Sequence, residues 1–283
     1  MMAWSVILAV VALCLQPILA ASSSGCGKAP TLTSPNAYSL TINGKSRQYF
    51  VKFPANYNQT HPYKLIFTFH ALGGTASQVV AGTGGYLPWY GLPALDTGNT
   101  GIYIAPNGLN NGWANPNGDD LALTDAIIKT VEADLCIDQA HRYSTGFSYG
   151  AGMSYSIACS RAKDFRAVAV LSGAVLSGCT GGNDPIAYYG QHGVSDNVLP
   201  IAGDRTMRDR FVKNNGCTSQ SPPEPAAGSG THIKTQYSGC KSGYPVTWVA
   251  FDGDHTPQPK DKGQSTTFAA NETWAFFSQF KQE

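Results

Sequence analysis

The sequence predicts a single α/β domain: a mostly parallel central sheet with helices on both faces. Three observations carry this. Segments of strand character alternate with segments of helical periodicity along most of the chain, the pattern of strands joined by crossover helices. Two strand segments, 64–69 and 102–105, are near-continuous apolar runs, as expected of strands covered on both faces. Third, Gly146-Phe147-Ser148-Tyr149-Gly150 stands between a short strand segment, 141–145, and a helical one, 151–158.

The elements follow in order. Asn43-Gly44 lies between Ser39-Leu40-Thr41-Ile42 and Arg47-Gln48-Tyr49-Phe50-Val51, which reads as a hairpin across 38–54. Segment 64–69 ends in His70-Ala71-Leu72-Gly73-Gly74, and 102–105 in Pro106-Asn107-Gly108. Asp119-Asp120 is expected to cap a helix over 121–135, where Leu123, Ala126, Ile127, Val131 and Leu135 recur at helical spacing. After the Ser148 segment come strands at 165–171 and 185–190, then a helix over 204–214 with Asp204 as its cap. Segment 219–231, rich in Ser, Pro and Gly, is expected as a surface loop. A strand at 244–251 and a helix at 268–280 complete the domain, with no internal repeat and no appended module.

The chain has 283 residues, a net charge of +1 and 13% charged residues, so nothing points to nucleic acid or an anionic membrane. Residues 4–20 are almost wholly apolar and end in Pro17-Ile18-Leu19-Ala20-Ala21. This reads as a secretory leader over 1–20, cleaved after Ala20 or Ala21, although its start carries no Lys or Arg. A membrane anchor would be longer and followed by basic residues. Of seven cysteines, Cys14 leaves with the leader. Cys26, Cys136, Cys159, Cys179, Cys217 and Cys240 then form an even set in an exported chain, so three disulfides are expected. Cys217–Cys240, closing a polar loop, is the first choice, and the remaining pairing is open. The spacings do not suggest a zinc site, and no metal or cofactor is expected. Asn58 and Asn271 head the sequons Asn58-Gln59-Thr60 and Asn271-Glu272-Thr273. A monomer is expected.

The G-x-S-x-G segment in its strand–turn–helix context is the nucleophile elbow of the α/β-hydrolase fold. The alternative is a glycine-rich turn with a capping serine. A serine hydroxyl needs a base, and the base needs an orienting acid. In this fold the chain order is Ser, acid, His, so the base follows Ser148: His192, His232 or His255. His255 follows the last strand, where the sheet delivers its catalytic loops. His192 fits a structural role, and His232 sits in the Gly/Ser-rich loop with nothing to fix it. The acid belongs to the preceding strand's loop, which places Asp196 there. Asp204 competes but reads as a helix cap, Asp184 lies ahead of its strand, and Asp252 and Asp254 read as turn residues. An oxyanion needs two N–H donors. Tyr149 supplies one, and Leu72, with Ala71 as alternative, the other. For substrate contacts, Tyr86, Trp89 and Tyr90 lie in the Gly-rich segment before the second apolar strand and Trp113 after it. Such aromatics also serve as core residues.

With these loops assigned, the chain resembles fungal feruloyl esterases of carbohydrate esterase family 1. More distantly it is similar to polyhydroxybutyrate depolymerases and fungal acetyl xylan esterases. The resemblance spans essentially the whole mature chain. It is carried by His70-Ala71-Leu72-Gly73-Gly74, Gly112-Trp113, Asp119-Asp120, the stretch from Thr145 to Met153, Ser172-Gly173-Ala174, the loop from His192 to Asp196, and Asp254-His255. It implies a secreted esterase that releases ferulic or related hydroxycinnamic acids from feruloylated plant cell-wall polysaccharide. Two departures stand out: Ala71 where His-Gly is usual, and Thr256-Pro257 where the depolymerases often carry Trp. The alternative from another class is a catalytically silent carbohydrate-binding protein. The presence of Ser148, Asp196 and His255 together argues against it.

Overall fold

The computed structural model describes residues 22–282. The expected leader over 1–20, and Cys14 within it, lie outside the described residues. One sheet of nine strands forms the centre: β1 Asn36–Ile42, β2 Lys45–Lys52, β3 Tyr63–Phe69, β4 Gly101–Pro106, β5 Ile137–Phe147, β6 Ala167–Leu171, β7 Ala187–Gly193, β8 His232–Gln236 and β9 Val246–Phe251. Their order across it is β1-β2-β4-β3-β5-β6-β7-β9-β8. The block from β4 to β9 is parallel. β2 joins it antiparallel at β4, and β8 antiparallel at β9.

Strands β3, β4, β6, β7 and β9 are buried along their full lengths. That is why β3, β4, β6 and β9 read as near-continuous apolar runs rather than alternating ones, while β7, equally buried, ends in Gly190-Gln191-His192-Gly193. Helices α3 Asp119–Asp134, α4 Tyr149–Ser160 and α5 Ile201–Asn214 pack on one face, through Ile127, Val131, Met153, Ile157 and Phe211. Helices α1 Ala76–Ala81, α2 Leu92–Leu95 and α6 Ala269–Ser278 cover the other, through Val79, Leu92, Phe276 and Phe277. Asn43 and Gly44 turn the β1–β2 hairpin with φ of 48° and 75°, the left-handed pair that a two-residue turn matched to strand twist requires.

Several local expectations are corrected by tertiary partners. Gly118, not an aspartate, is the N-cap of α3. Asp119 instead accepts from Asn43 Nδ2 at 2.7 Å and Lys45 Nζ at 3.0 Å. Asp120 accepts from the buried Arg47 at 2.6 Å and from the Asn115 amide at 2.8 Å. Both aspartates therefore pin the hairpin to the start of α3, where the helix dipole also favours negative charge. Asp204 does not cap α5; the helix starts at Ile201 with Pro200 as N-cap, and Asp204 is fully buried. His232 is not loose. It begins β8, its Nδ1 lies 2.9 Å from Asp261 Oδ1, and its ring stacks on Phe268 at 3.9 Å. β8 escapes sequence reading because it is a short edge strand of half-exposed polar residues. The short helices α1 and α2 likewise have no periodicity long enough to announce them.

Three disulfides form: Cys26–Cys136, Cys159–Cys179 and Cys217–Cys240. The first ties the segment ahead of β1 to the start of β5. The second ties the end of α4 to the loop after β6. Asn58 is exposed in the loop before β3, and its Oδ1 accepts from the Thr60 amide and hydroxyl, both at 2.9 Å. Asn271 is exposed on α6, but Thr273 of its sequon is buried.

Candidate active site

The parallel strands all end on one edge of the sheet. β3 has β4 on one side and β5 on the other, so the chain reverses direction between β3 and β5. In open α/β sheets, ligand sites lie outside the strand ends at such a point. The loops carrying His70-Ala71-Leu72 and Ser148 leave the sheet here.

Ser148 is the single residue between β5 and α4, at φ 57° and ψ −115°. A non-glycine residue there costs on the order of 1–3 kcal/mol and persists only when its surroundings enforce it. Its amide donates to Leu171 O at 3.0 Å, and its carbonyl accepts from the Gly152 amide at 3.0 Å. The flanking glycines leave room for the turn. A Cβ on Gly146 would lie 2.4 Å from the Gly150 carbonyl carbon, and one on Gly150 would lie 2.1 Å from Phe69 O. The Ser148 hydroxyl makes no capping bond to the helix, so the capping-serine alternative finds no support.

His255 Nδ1 lies 2.7 Å from Asp196 Oδ2. A carboxylate oxygen only accepts here, so Nδ1 carries the hydrogen and the neutral imidazole keeps its lone pair on Nε2. The other oxygen, Asp196 Oδ1, accepts from the Val198 and Leu199 amides at 2.9 and 2.8 Å. Asp254 joins the two loops, accepting from the His255 amide at 2.7 Å and the Asn197 amide at 3.1 Å. Asp252 accepts from the amides of Gly228 and Gly230, so both aspartates are turn residues as expected. The His255 ring packs on Phe147, centroids 4.5 Å apart. His192 and Asp204, the other candidates, pair with one another at 2.8 Å beneath this loop.

The loop after β3 is held from several directions. Trp113 Nε1 donates to His70 O at 2.7 Å. The Ala71 amide donates to the Tyr86 hydroxyl at 2.8 Å. The Gly73 amide donates to Asn111 O at 2.8 Å and that of Gly74 to Ala71 O at 3.0 Å. The Leu72 amide makes no hydrogen bond to any of the described residues. His70 itself is buried, with Nδ1 2.8 Å from Ala71 O and Nε2 accepting the Gly108 amide at 2.9 Å. Burial lowers its pKa to about 4 against the ordinary 6.5, so the ring stays neutral.

Tyr86, Tyr90 and Trp113 lie beside the site as its supports, whereas Trp89 packs on Tyr103 of β4, away from it. Tyr86, Trp89, Tyr90 and Trp113 are 6%, 3%, 6% and 0% exposed, which leaves little aromatic face for a ligand. Tyr90 has the most specific placement. Its hydroxyl donates to Phe69 O at 2.7 Å and accepts the Phe147 amide at 3.0 Å. It therefore bridges β3 and β5 just beyond their last paired residues, Phe69 and Gly146. Trp89 and Tyr90 both adopt left-handed backbone, φ 53° and 59°, and nothing local in the sequence announces this.

Among the described residues the exposed large apolar side chains are Leu72, Val175, Leu176 and Val198. All lie on loops that follow β3, β6 or β7, the same edge as Ser148. A Cβ on Gly112 would lie 3.3 Å from Leu72 Cδ1 and 3.0 Å from Tyr149 Cε1, so Leu72 and Tyr149 flank one another. Leu176 Cβ would lie 3.0 Å from a Cβ on Gly152, beside the first turn of α4. Isolated apolar loop residues such as these carry no pattern in a sequence. Among the described residues no cluster of His, Cys, Asp and Glu could hold a metal ion.

No family model matches the chain. It is 54% identical to feruloyl esterase D of Neurospora crassa, over 92% of this chain and 91% of that protein. It is 51% identical to feruloyl esterase C of Emericella nidulans, over 92% and 93%. Among solved structures it is similar to acetyl xylan esterase from Aspergillus awamori, with a TM-score of 0.62 at 13% identity over 86% of this chain and 99% of that one. A family 1 ferulic acid esterase from Anaeromyces mucronatus, in complex with ferulic acid, gives 0.58 at 15% over 89% and 93%. At such identities the two structures speak for the fold alone. With the curated relatives alike over nearly their whole length, the chain belongs to the fungal feruloyl esterases, carboxylic ester hydrolases of the α/β-hydrolase fold.

Proposed function

We propose that the chain is a secreted serine esterase that hydrolyses feruloyl and related hydroxycinnamoyl esters of plant cell-wall arabinoxylan, releasing ferulic acid. The observation that supports this most is the convergence on one sheet edge of a strained Ser148 and a His255–Asp196 pair at 2.7 Å. In this reading His255 Nε2 takes the Ser148 proton as Oγ attacks the ester carbonyl, then returns it to the leaving alcohol. Water hydrolyses the acyl-enzyme by the same route, with Asp196 holding the imidazole tautomer throughout. The amides of Leu72 and Tyr149 receive the oxyanion. Ala71 is the weaker alternative, because its amide is already committed to Tyr86. No metal or cofactor enters the chemistry.

A hydroxycinnamate is a flat ring on a rigid vinyl spacer and needs an apolar surface beside the nucleophile. Leu72, Val175, Leu176 and Val198 supply such a surface in this reading, with Tyr86, Tyr90 and Trp113 holding the loops around it. The test compares methyl ferulate, methyl caffeate, acetylated xylan and a hydroxybutyrate oligomer. Hydroxycinnamates should lead by at least about tenfold in kcat/KM, roughly 1.4 kcal/mol of discrimination. Leu176→Ser and Val198→Ser should raise KM for methyl ferulate more than for methyl acetate. Dominant acetyl release, with methyl ferulate untouched, would overturn the acyl assignment. Secretion follows from the leader reading together with the three disulfides, and Asn58 is the more accessible glycan acceptor. Intact-mass analysis of the protein exported by a fungal host checks both.

A further inference from the structure

The acid assigned above does not stand alone. Behind Asp196, away from His255, lies a second buried imidazole–carboxylate pair. His192 and Asp204 are both fully buried, and Nδ1 of the histidine is 2.8 Å from Asp204 Oδ2. The other ring nitrogen, Nε2, is 2.7 Å from Leu199 O and 3.2 Å from Asp196 Oδ2. Asp204 is itself fixed by the Gly173 amide at 3.4 Å and the Tyr188 hydroxyl at 3.3 Å. Asp196 Oδ2 thus faces two imidazoles: it is hydrogen-bonded to the one from the loop after β9 and lies 3.2 Å from the one on β7, whose N–H bonds to Leu199 O of the same turn.

The protons can be counted from the partners. Leu199 O and Asp196 Oδ2 are acceptors, so His192 Nε2 must carry a hydrogen. A contact of 2.8 Å between Nδ1 and Asp204 Oδ2 also needs one hydrogen between them, since two lone pairs would repel. The pair therefore holds two protons, as imidazolium with carboxylate or as imidazole with carboxylic acid, and is neutral in either form. Burial lowers the His192 pKa, but the hydrogen bond and charge of Asp204, the Leu199 carbonyl and Asp196 together raise it above the ordinary value. Burial raises that of Asp204, and its hydrogen bonds do not offset this. Both directions keep the two protons in place. Around His192 the charged and titratable groups are then Asp196 above, Asp204 of α5 beside, Tyr188 on β7 and Arg208 on α5 beyond it. A neutral pair therefore presents an N–H to the 196–199 turn without bringing a second net charge beside Asp196.

We infer that His192 and Asp204 form a positioning pair for Asp196, holding the 196–199 turn in the one geometry that points Oδ2 at His255. The Leu199 carbonyl fixed by His192 belongs to the same turn whose amides bind Asp196 Oδ1. This inference rests on Asp196 being the acid of the triad.

The test is a double-mutant cycle on an activated ester such as 4-nitrophenyl ferulate, with Asp196→Ala and His192→Phe alone and combined. His192→Phe should lower kcat by about 10- to 100-fold, the scale of a misplaced catalytic group, with KM within about twofold. His192→Gln, whose amide can still donate from near the Nε2 position, should recover most of the loss. In the Asp196→Ala background His192→Phe should have no further effect, because its target is gone. Asp204→Asn, which keeps the shape of the side chain, provides the same cycle if His192→Phe does not fold. Equal losses with and without Asp196, or normal kcat in both Asp204→Asn and His192→Phe, would overturn the positioning role. A harmless Asp196→Ala would instead overturn the triad assignment itself.

Discussion

Asp196 Oδ2 meets His255 Nδ1 at 2.7 Å although 59 residues separate them. Only the parallel pairing of β7 with β9 brings their loops together, and that pairing continues past the strands where the Val194 amide meets Phe251 O at 2.8 Å. If Ser148, His255 and Asp196 act as one unit, Ser148→Ala should lose several orders of magnitude in kcat while substrate still binds. Asp196→Asn should lose about 10⁴-fold, because an amide can stabilise the wrong imidazole tautomer. Pre-steady-state acyl-enzyme bursts and equilibrium binding to Ser148→Ala check this. Turnover within tenfold of normal in either variant would exclude the assignment.

Tyr90 makes a separate prediction about the scaffold. Tyr90→Phe removes the hydroxyl that serves both Phe69 O and the Phe147 amide. Each buried group left unpaired costs about 1–3 kcal/mol. Urea denaturation should show a stability loss of that order. Because Phe147 precedes Ser148, the proposed nucleophile, and Phe69 precedes the loop proposed to receive the oxyanion, kcat should fall as well. A variant as stable as the parent would mean that water replaces the hydroxyl.

His70 predicts a pH dependence of stability. Its folded pKa of about 4 lies below the ordinary 6.5, so the folded state disfavours the proton relative to the unfolded chain. The stabilisation is fully present above about pH 6.5 and is lost as pH falls through 4, roughly 3 kcal/mol in all. Protonation would put a second N–H on Nε2, against the Gly108 amide that now donates to it. Unfolding free energy measured between pH 7 and pH 4 should therefore fall less steeply for His70→Gln. Parallel curves would assign the acid sensitivity to other groups.

The Cys159–Cys179 bridge spans 20 residues and anchors the loop bearing Val175 and Leu176. A closed loop of that length stabilises by about 3 kcal/mol. Replacing both cysteines by alanine should lower Tm by several degrees. It should also raise KM for hydroxycinnamates before it changes kcat for a small ester. Calorimetry and the two kinetic constants separate these effects. Unchanged KM would detach this loop from the acyl surface.

The alternation of elements and the sharp turn at Ser148 were legible in the sequence, as was the loop-by-loop order that made Asp196 and His255 the candidates. Each is a local matter: apolar runs report strands buried on both faces, glycines report a close approach, and strand ends report loops. The sequence also favoured Cys217–Cys240, a pair joined by one polar loop. Where the polar side chains found their partners became visible only in the folded chain. Asp119, Asp120 and Asp204 all look like helix caps in the sequence, yet each is taken by a distant group: Lys45, Arg47 and His192. His232, without an evident role in the sequence, is held by Asp261. The aromatics flanking the second apolar strand turned inward, and the exposed large apolar side chains among the described residues are the scattered Leu72, Val175, Leu176 and Val198. The physical reason is the same throughout. A local hydrogen bond contributes about 1 kcal/mol, whereas a buried charge or donor left unpaired costs more than that. The partners of buried polar groups are therefore set by what the fold brings within 3 Å, which sequence spacing does not report.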